Sequence, residues 1–274
     1  MGKRILVAVI FIPVIFVVFF VLPPIFLPIM ISALSMIALH EVLWSTGFVK
    51  NPWISGLSIA LSGVIPFWVF IGEGMRSALC GIFLYFVAVF AIAISSHYTV
   101  TLEKMGGSFF FAMLIPYFLS SFVRLNGMEG GNMGRYLILL PLVAAFTSDA
   151  FALFAGMAFG KNKLAPELSP KKTVEGAVGG LAGAVVCCIL YGVVMGRFFD
   201  MKVNYLFLAI YGALGSVVAQ LGDLSFSYIK RQYGLKDFGN IFPGHGGVLD
   251  RFDSVIFCAP LIEILIRWLP AITR

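Results

Sequence analysis

The sequence predicts an all-α integral membrane protein, a polytopic bundle of about nine transmembrane helices with a polar cavity opening to the cytoplasmic side. Three observations carry this. Of 274 residues, 60% are hydrophobic and only 12% charged, against ~25% charged in an average soluble domain. The mean hydropathy is +1.00. Apolar runs of ~20 residues, each able to cross a hydrocarbon core as a helix, follow one another almost end to end and leave no room for a soluble domain.

The first run, Ile5–Val21, follows Lys3 and Arg4 as a signal peptide would. It is too long for a signal-peptide core and no small-residue cleavage site follows, so it is read as a retained helix. Ile25–Val42, Ile54–Ile71 and Ala78–Ser95 come next. His40, Glu41 and His97, at or near the ends of these runs, are read as interfacial residues that snorkel rather than as catalytic groups. Residues 1–108 form a set of helices with no legible function, and no fixed-period repeat is found in them.

Residues 109–274 hold the runs Phe109–Val123, Tyr136–Phe159, Val174–Met195, Tyr205–Leu224 and Val255–Leu269, and with them the chemistry. Gly176, Gly180 and Ala184 recur at four-residue spacing, as do Gly212, Ser216 and Gln220. Each series makes a flat helix face for close approach, within one chain or across a homodimer. Glu263 and Arg267, one turn apart, can pair with each other. Cys80, Cys187, Cys188 and Cys258 lie in apolar runs without metal-like spacing and are read as small packing residues.

With nine crossings, Lys3, Arg4, Lys50, Lys104, Lys161, Lys163, Lys171, Lys172, Lys230, Arg231, Lys236 and Arg251 share one face, and fewer basic residues share the other. The richer face is expected to be cytoplasmic, in a multi-pass protein of the cell inner membrane. The net charge of +6 suits anionic lipid headgroups or a nucleotide, and equally follows from topology alone. No nucleic acid polymer is expected as a partner.

Asp149, at Thr147-Ser148-Asp149, and Asp223, at Gly222-Asp223-Leu224-Ser225, lie too deep in their runs for ordinary surface residues. A carboxylate there demands a partner, a cavity or a proton. Ser227, one turn beyond Asp223, opens a polar segment to Asp253 that also holds Lys230, Arg231, Lys236, Asp237, His245, Asp250 and Arg251. It reads as a site for a charged ligand, or as a solvated positive-inside loop. Asp250 and Asp253, at i and i+3, either share a helix face that can hold a divalent cation or simply favour the start of a helix. Gly244-His245-Gly246-Gly247 can bring backbone N–H groups to an anion, and His245 can donate to a phosphate, orient a carboxylate or satisfy the loop. Upstream, Lys161-Asn162-Lys163 and Ser169-Pro170-Lys171-Lys172-Thr173 add cations ahead of a helix start. Zinc-ribbon, P-loop, Rossmann and zincin patterns are absent. Carboxylates, cations and glycines about a membrane cavity fit phosphoryl or nucleotidyl transfer, whose work is charge neutralisation and alignment.

Ser227, Lys230-Arg231, Lys236-Asp237, Gly239, Pro243, His245-Gly246-Gly247, Asp250-Arg251 and Asp253 resemble, without departure, the signature of the phosphatidate cytidylyltransferases. Phe159-Gly160-Lys161, Ser169 to Thr173 and Glu175-Gly176 are similar to that family too, so specific resemblance covers the C-terminal half. It implies that CTP and phosphatidate, a membrane lipid, are the substrates, that CDP-diacylglycerol and pyrophosphate are the products, and that a divalent metal, Mg²⁺, is the cofactor; a second cation is left open. Asp223 and Asp250, with Asp253 or Asp149, are expected to bind the metal. Lys230, Arg231 and His245 join Asp223, Asp250 and Asp253 as expected catalytic residues. Lys161, Lys172, Ser227, Lys236, Asp237, Gly246, Gly247 and Arg251 are expected to bind substrate. A transporter of an anionic substrate, and cytidylyl transfer to another lipid phosphate or polyprenol, are the alternatives.

Overall fold

Hydrocarbon offers no water to peptide groups, so apolar runs close their hydrogen bonds internally as helices. The structure, a computed structural model, describes residues 13–49, 51–72, 75–96, 100–128, 133–239, 241 and 246–273. Among these, seven helical stretches are long and apolar enough to cross a membrane: Phe26–Ser45, Pro52–Ile71, Ala78–Ser95, Leu102–Asn126, Met133–Phe159, Val174–Phe198 and Tyr205–Gln232. The chain is thus a multi-pass, all-α membrane protein. Seven falls short of the nine expected for two reasons. Residues 5–12 of the run Ile5–Val21 lie outside the described residues, and the last helix, Leu249–Trp268, carries Asp250, Arg251, Asp253, Glu263 and Arg267.

The chain packs as two compact units, Met1–Arg135 with Tyr233–Arg251, and Tyr136–Gln232 with Phe252–Arg274. Residues 233–251 of the polar segment thus fold with the first unit.

The first unit holds α1 (Phe26–Ser45), α2 (Pro52–Ile71), α3 (Met75–Ser95), α4 (Leu102–Leu119) and α5 (Ser121–Asn126). α2 packs on α1, α3 and α4. Asn51 caps α2: its Oδ1 accepts the N–H of Trp53 at 3.0 Å and of Ile54 at 3.4 Å. Pro52 follows at a position where its missing N–H leaves no bond unmade. Serines tie the interior, Ser32 donating to the Gly63 carbonyl at 2.6 Å and Ser58 meeting the Tyr85 hydroxyl at 2.9 Å.

A short helix, α6 (Met133–Leu137), leads into α7 (Leu139–Phe159), the antiparallel hairpin β1 (Lys163–Ala165) and β2 (Ser169–Thr173), α8 (Val174–Phe198), β3 (Lys202–Val203), α9 (Tyr205–Gln232), α10 (Leu249–Trp268) and β4 (Ile272–Thr273), which pairs with β3. In the second unit α7, α8 and α9 pack on one another through their small-residue faces. A Cβ on Gly180 would lie 2.7 Å from the Ser148 carbonyl, and one on Gly212 2.8 Å from that of Ala184. Those faces are covered by this chain's own helices, so a homodimer would need other surfaces. The Ser148 and Ser216 hydroxyls meet at 2.7 Å.

Thr173 caps α8, its Oγ1 accepting the Gly176 N–H at 3.1 Å. Thr173→Ala removes that acceptor and is expected to lower stability by about 1 kcal/mol, measured as a fall in thermal unfolding temperature in detergent. α9 runs on past the expected end at Leu224 to Gln232. Lys230, Arg231 and Gln232 are good helix formers once hydropathy no longer decides. Gly234, with φ of 66°, ends the extension.

Candidate active site in the second unit

α8 begins, and α9 ends, at one end of the second unit, and the hairpin lies there as well: Arg231 Nε donates to the Leu168 carbonyl at 3.2 Å. The half-buried Glu175, in the first turn of α8, accepts the N–H groups of Lys161 at 3.1 Å and Asn162 at 3.2 Å, closing the hairpin's start onto the helix. Between hairpin and helices lies a cavity of about 490 Å³. Asp149, Gln220, Asp223, Lys171, Lys172 and Thr173 line it beside apolar Leu153, Met157 and Leu164. Its lining mixes charged and apolar side chains, as suits a charged headgroup on an acyl chain.

Asp223 pairs with the ammonium of Lys172 from β2, so the strand aims a cation at the helix carboxylate. Ser227, one turn on, donates to Asp223 at 3.4 Å. Asp149 accepts the Ser254 hydroxyl at 2.8 Å. Asp253 is buried, takes the Ser254 N–H at 2.8 Å, and has Asp223, Asp149 and buried Lys230 as its charge neighbours. Three carboxylates so gathered repel one another unless cations stand among them. Of the four aspartates expected at the metal, Asp149, Asp223 and Asp253 are therefore charge neighbours here, with Lys172, Lys230 and Ser227 beside them.

Other expected residues fall elsewhere. Lys161 is exposed at the hairpin's start and engages through its backbone. Lys236, Asp237 and Arg251 are exposed in the first unit's part of the polar segment. His245 lies outside the described residues. Gly246 has φ of 79°, which a side chain rarely adopts. Asp250 uses Oδ2 to accept the N–H groups of Phe238 and Gly247, each at 2.9 Å. The Gly247 amide, one of those expected to serve an anion, thus meets a carboxylate of the chain itself.

Sequence reasoning gave no site role to Gln220, Ser254 or Glu41. Gln220 Nε2 donates to the Ala177 carbonyl at 3.1 Å and to Ser216 at 3.0 Å on the cavity wall. It had been read only as the polar end of a small-residue face. Glu41, read as snorkelling, is instead buried. No periodicity marks such residues, because their partners are distant in sequence.

Among the described residues no three His, Cys, Asp or Glu side chains form a ready metal cage. Mg²⁺ needs none: it takes oxygen ligands, commonly from one or two carboxylates, and completes its shell with substrate phosphates and water. The carboxylates about the cavity fit that requirement.

Residues 2–269 match the model of the family described as the cytidylyltransferase family. The chain is 34% identical over 246 residues to the phosphatidate cytidylyltransferase of Bacillus subtilis (strain 168), covering 87% of each protein. It is 35% identical over 237 residues to that of Staphylococcus haemolyticus (strain JCSC1435), covering 85% of this chain and 86% of the relative. With the phosphatidate cytidylyltransferase of Thermotoga maritima it shares 34% identity over 161 residues, 58% of each.

Proposed function

The chain belongs to the cytidylyltransferase family, and on that premise we propose how its residues carry out the transfer. The reaction converts CTP and phosphatidate to CDP-diacylglycerol and pyrophosphate in phospholipid biosynthesis. A phosphatidate oxygen bonds to the CTP α-phosphorus as the bond to the bridging oxygen of the β-phosphate breaks, and that electron pair leaves on pyrophosphate. A phosphomonoester with a second pKa of ~6 is already ionised at neutral pH, so no strong protein base is needed. The obstacle is the meeting of two anions.

Asp223, with Asp253 or Asp149, is proposed to hold Mg²⁺ through one or two carboxylates, with a second cation left open. When bound, it supplies Lewis-acid stabilisation of charge on the α-phosphate. Lys172 exchanges Asp223 for a substrate phosphate, and Lys230 and Arg231 add positive charge at the end of α9. Ser227 orients Asp223, and Ser254 orients Asp149. The acyl chains stay against Leu153, Met157 and the bilayer. Asp250, Lys161, Lys236, Asp237, His245, Gly246, Gly247 and Arg251 are given their metal, catalytic or substrate roles on the family resemblance alone. The observation that carries this reading is the pairing of Lys172 with Asp223 on the wall of a cavity that also holds Asp149.

The remaining proposals are about nine crossings and a cavity opening to the cytoplasm from a bacterial inner membrane, supported by the bias of Lys and Arg and by the supply of CTP on that side. Incubating purified protein with labelled CTP and phosphatidate should carry label into the organic phase with Mg²⁺ present, and EDTA should abolish it. Turnover that persists in EDTA refutes the metal. Liposome flux of an anion without nucleotide consumption would favour a transporter.

A further inference from the structure

In the first unit, a Cβ at Gly239 would lie 2.6 Å, and one at Gly247 2.3 Å, from a carboxylate oxygen of Glu41. Two glycines of the polar segment are therefore shaped around one side chain near the end of α1, some two hundred residues away by sequence. Glu41 is 5% exposed. It accepts two backbone N–H groups, Val248 to Oε1 at 2.9 Å and Leu249 to Oε2 at 2.8 Å. These amides open α10, where no helical carbonyl precedes them. Burying a carboxylate is unfavourable unless it is well hydrogen-bonded, and such charge-assisted bonds are strong and directional. Asp250, the next residue, accepts from Phe238 and Gly247, so its carboxylate is oriented by the same backbone that Glu41 fixes.

We propose that Glu41 is a positioning residue for the transfer reaction, holding the Val248 and Leu249 amides so that the Gly247 amide and the Asp250 carboxylate keep their working geometry. This rests on the metal role given to Asp250 above. Glu41 acts through Asp250 as an outer partner acts through a ligand. A cap serving stability alone would change the unfolding temperature and leave turnover per folded molecule, and its Mg²⁺ dependence, untouched.

Normalised to folded protein, Glu41→Ala should lose roughly 10- to 100-fold in kcat or in apparent Mg²⁺ affinity, with KM for phosphatidate unchanged. Glu41→Gln, which keeps one acceptor oxygen, should recover part of the loss. In the wild type, hydrogen exchange at Val248 and Leu249 should be slow, and it should quicken in Glu41→Gln. Wild-type turnover and Mg²⁺ dependence in Glu41→Ala overturn the proposal, as does fast exchange at these amides in the wild-type protein if neither variant folds. Asp250→Asn, run alongside, separates two failures. Full activity there sinks the role of Asp250, whereas an inactive Asp250→Asn beside a normal Glu41→Ala sinks the positioning role alone.

Discussion

Asp223→Asn should lower CDP-diacylglycerol formation by about 100- to 1,000-fold, the scale on which removing one group that stabilises transition-state charge acts. The substitution keeps the shape and removes the charge. It takes an oxygen ligand from the proposed metal and leaves Lys172 without the anion it faces. The second consequence can be separated from the first. If pairing with Lys172 were the whole role of Asp223, the residual turnover of Asp223→Asn would keep the wild-type dependence on Mg²⁺ concentration. If Asp223 binds metal, that residual turnover needs more Mg²⁺ to saturate. The measurement is labelled CTP incorporated into lipid by detergent-purified protein, each variant normalised to its folded fraction. Wild-type turnover in Asp223→Asn, or residual turnover with an unchanged Mg²⁺ dependence, would sink the assignment.

Asp223 also shows which parts of the molecule were legible in advance. A carboxylate deep in an apolar run announces itself, since hydrocarbon makes an unpartnered charge so unfavourable. Asp149 was found on the same ground, and the structure gathers both with Asp253. The helices were legible because run length is set by bilayer thickness, although the last one could not be told from a span by its apolar stretch alone. The hairpin Lys163–Thr173 was not legible: its two strands are short, and its pairing depends on α7 and α8 beside it. Nor was the end of α9, because hydropathy is silent once a helix leaves the apolar region. Glu41 was missed for a different reason. Its partners, Val248 and Leu249, are joined to it only by the fold, and a lone carboxylate near the end of a membrane run has an easier home at the interface.

Gly222→Ala should be the most damaging of the conservative changes. α9 and α10 approach so closely that a Cβ at 222 would lie 2.8 Å from the Asp253 carbonyl oxygen and 2.8 Å from the Phe257 Cβ. The carbonyl is backbone and cannot rotate aside, so the helices must part. Overpacking of this kind usually destabilises by about 1–3 kcal/mol. The larger consequence is for chemistry, because Gly222 adjoins Asp223 and the atom it would push belongs to Asp253. Displacing groups by ~1 Å can reduce a rate ~100-fold even when every side chain survives. Gly212→Ala is the matched control. Its Cβ would lie 2.6 Å from the Val185 Cα, an equally tight backbone clash between α9 and α8 that involves none of the carboxylates. Both variants should unfold at lower temperature in detergent, but only Gly222→Ala should lose turnover per folded molecule. Equal turnover in the two would mean that the spacing of Asp223 and Asp253 does not govern the rate, and the metal would then have to be held by other residues.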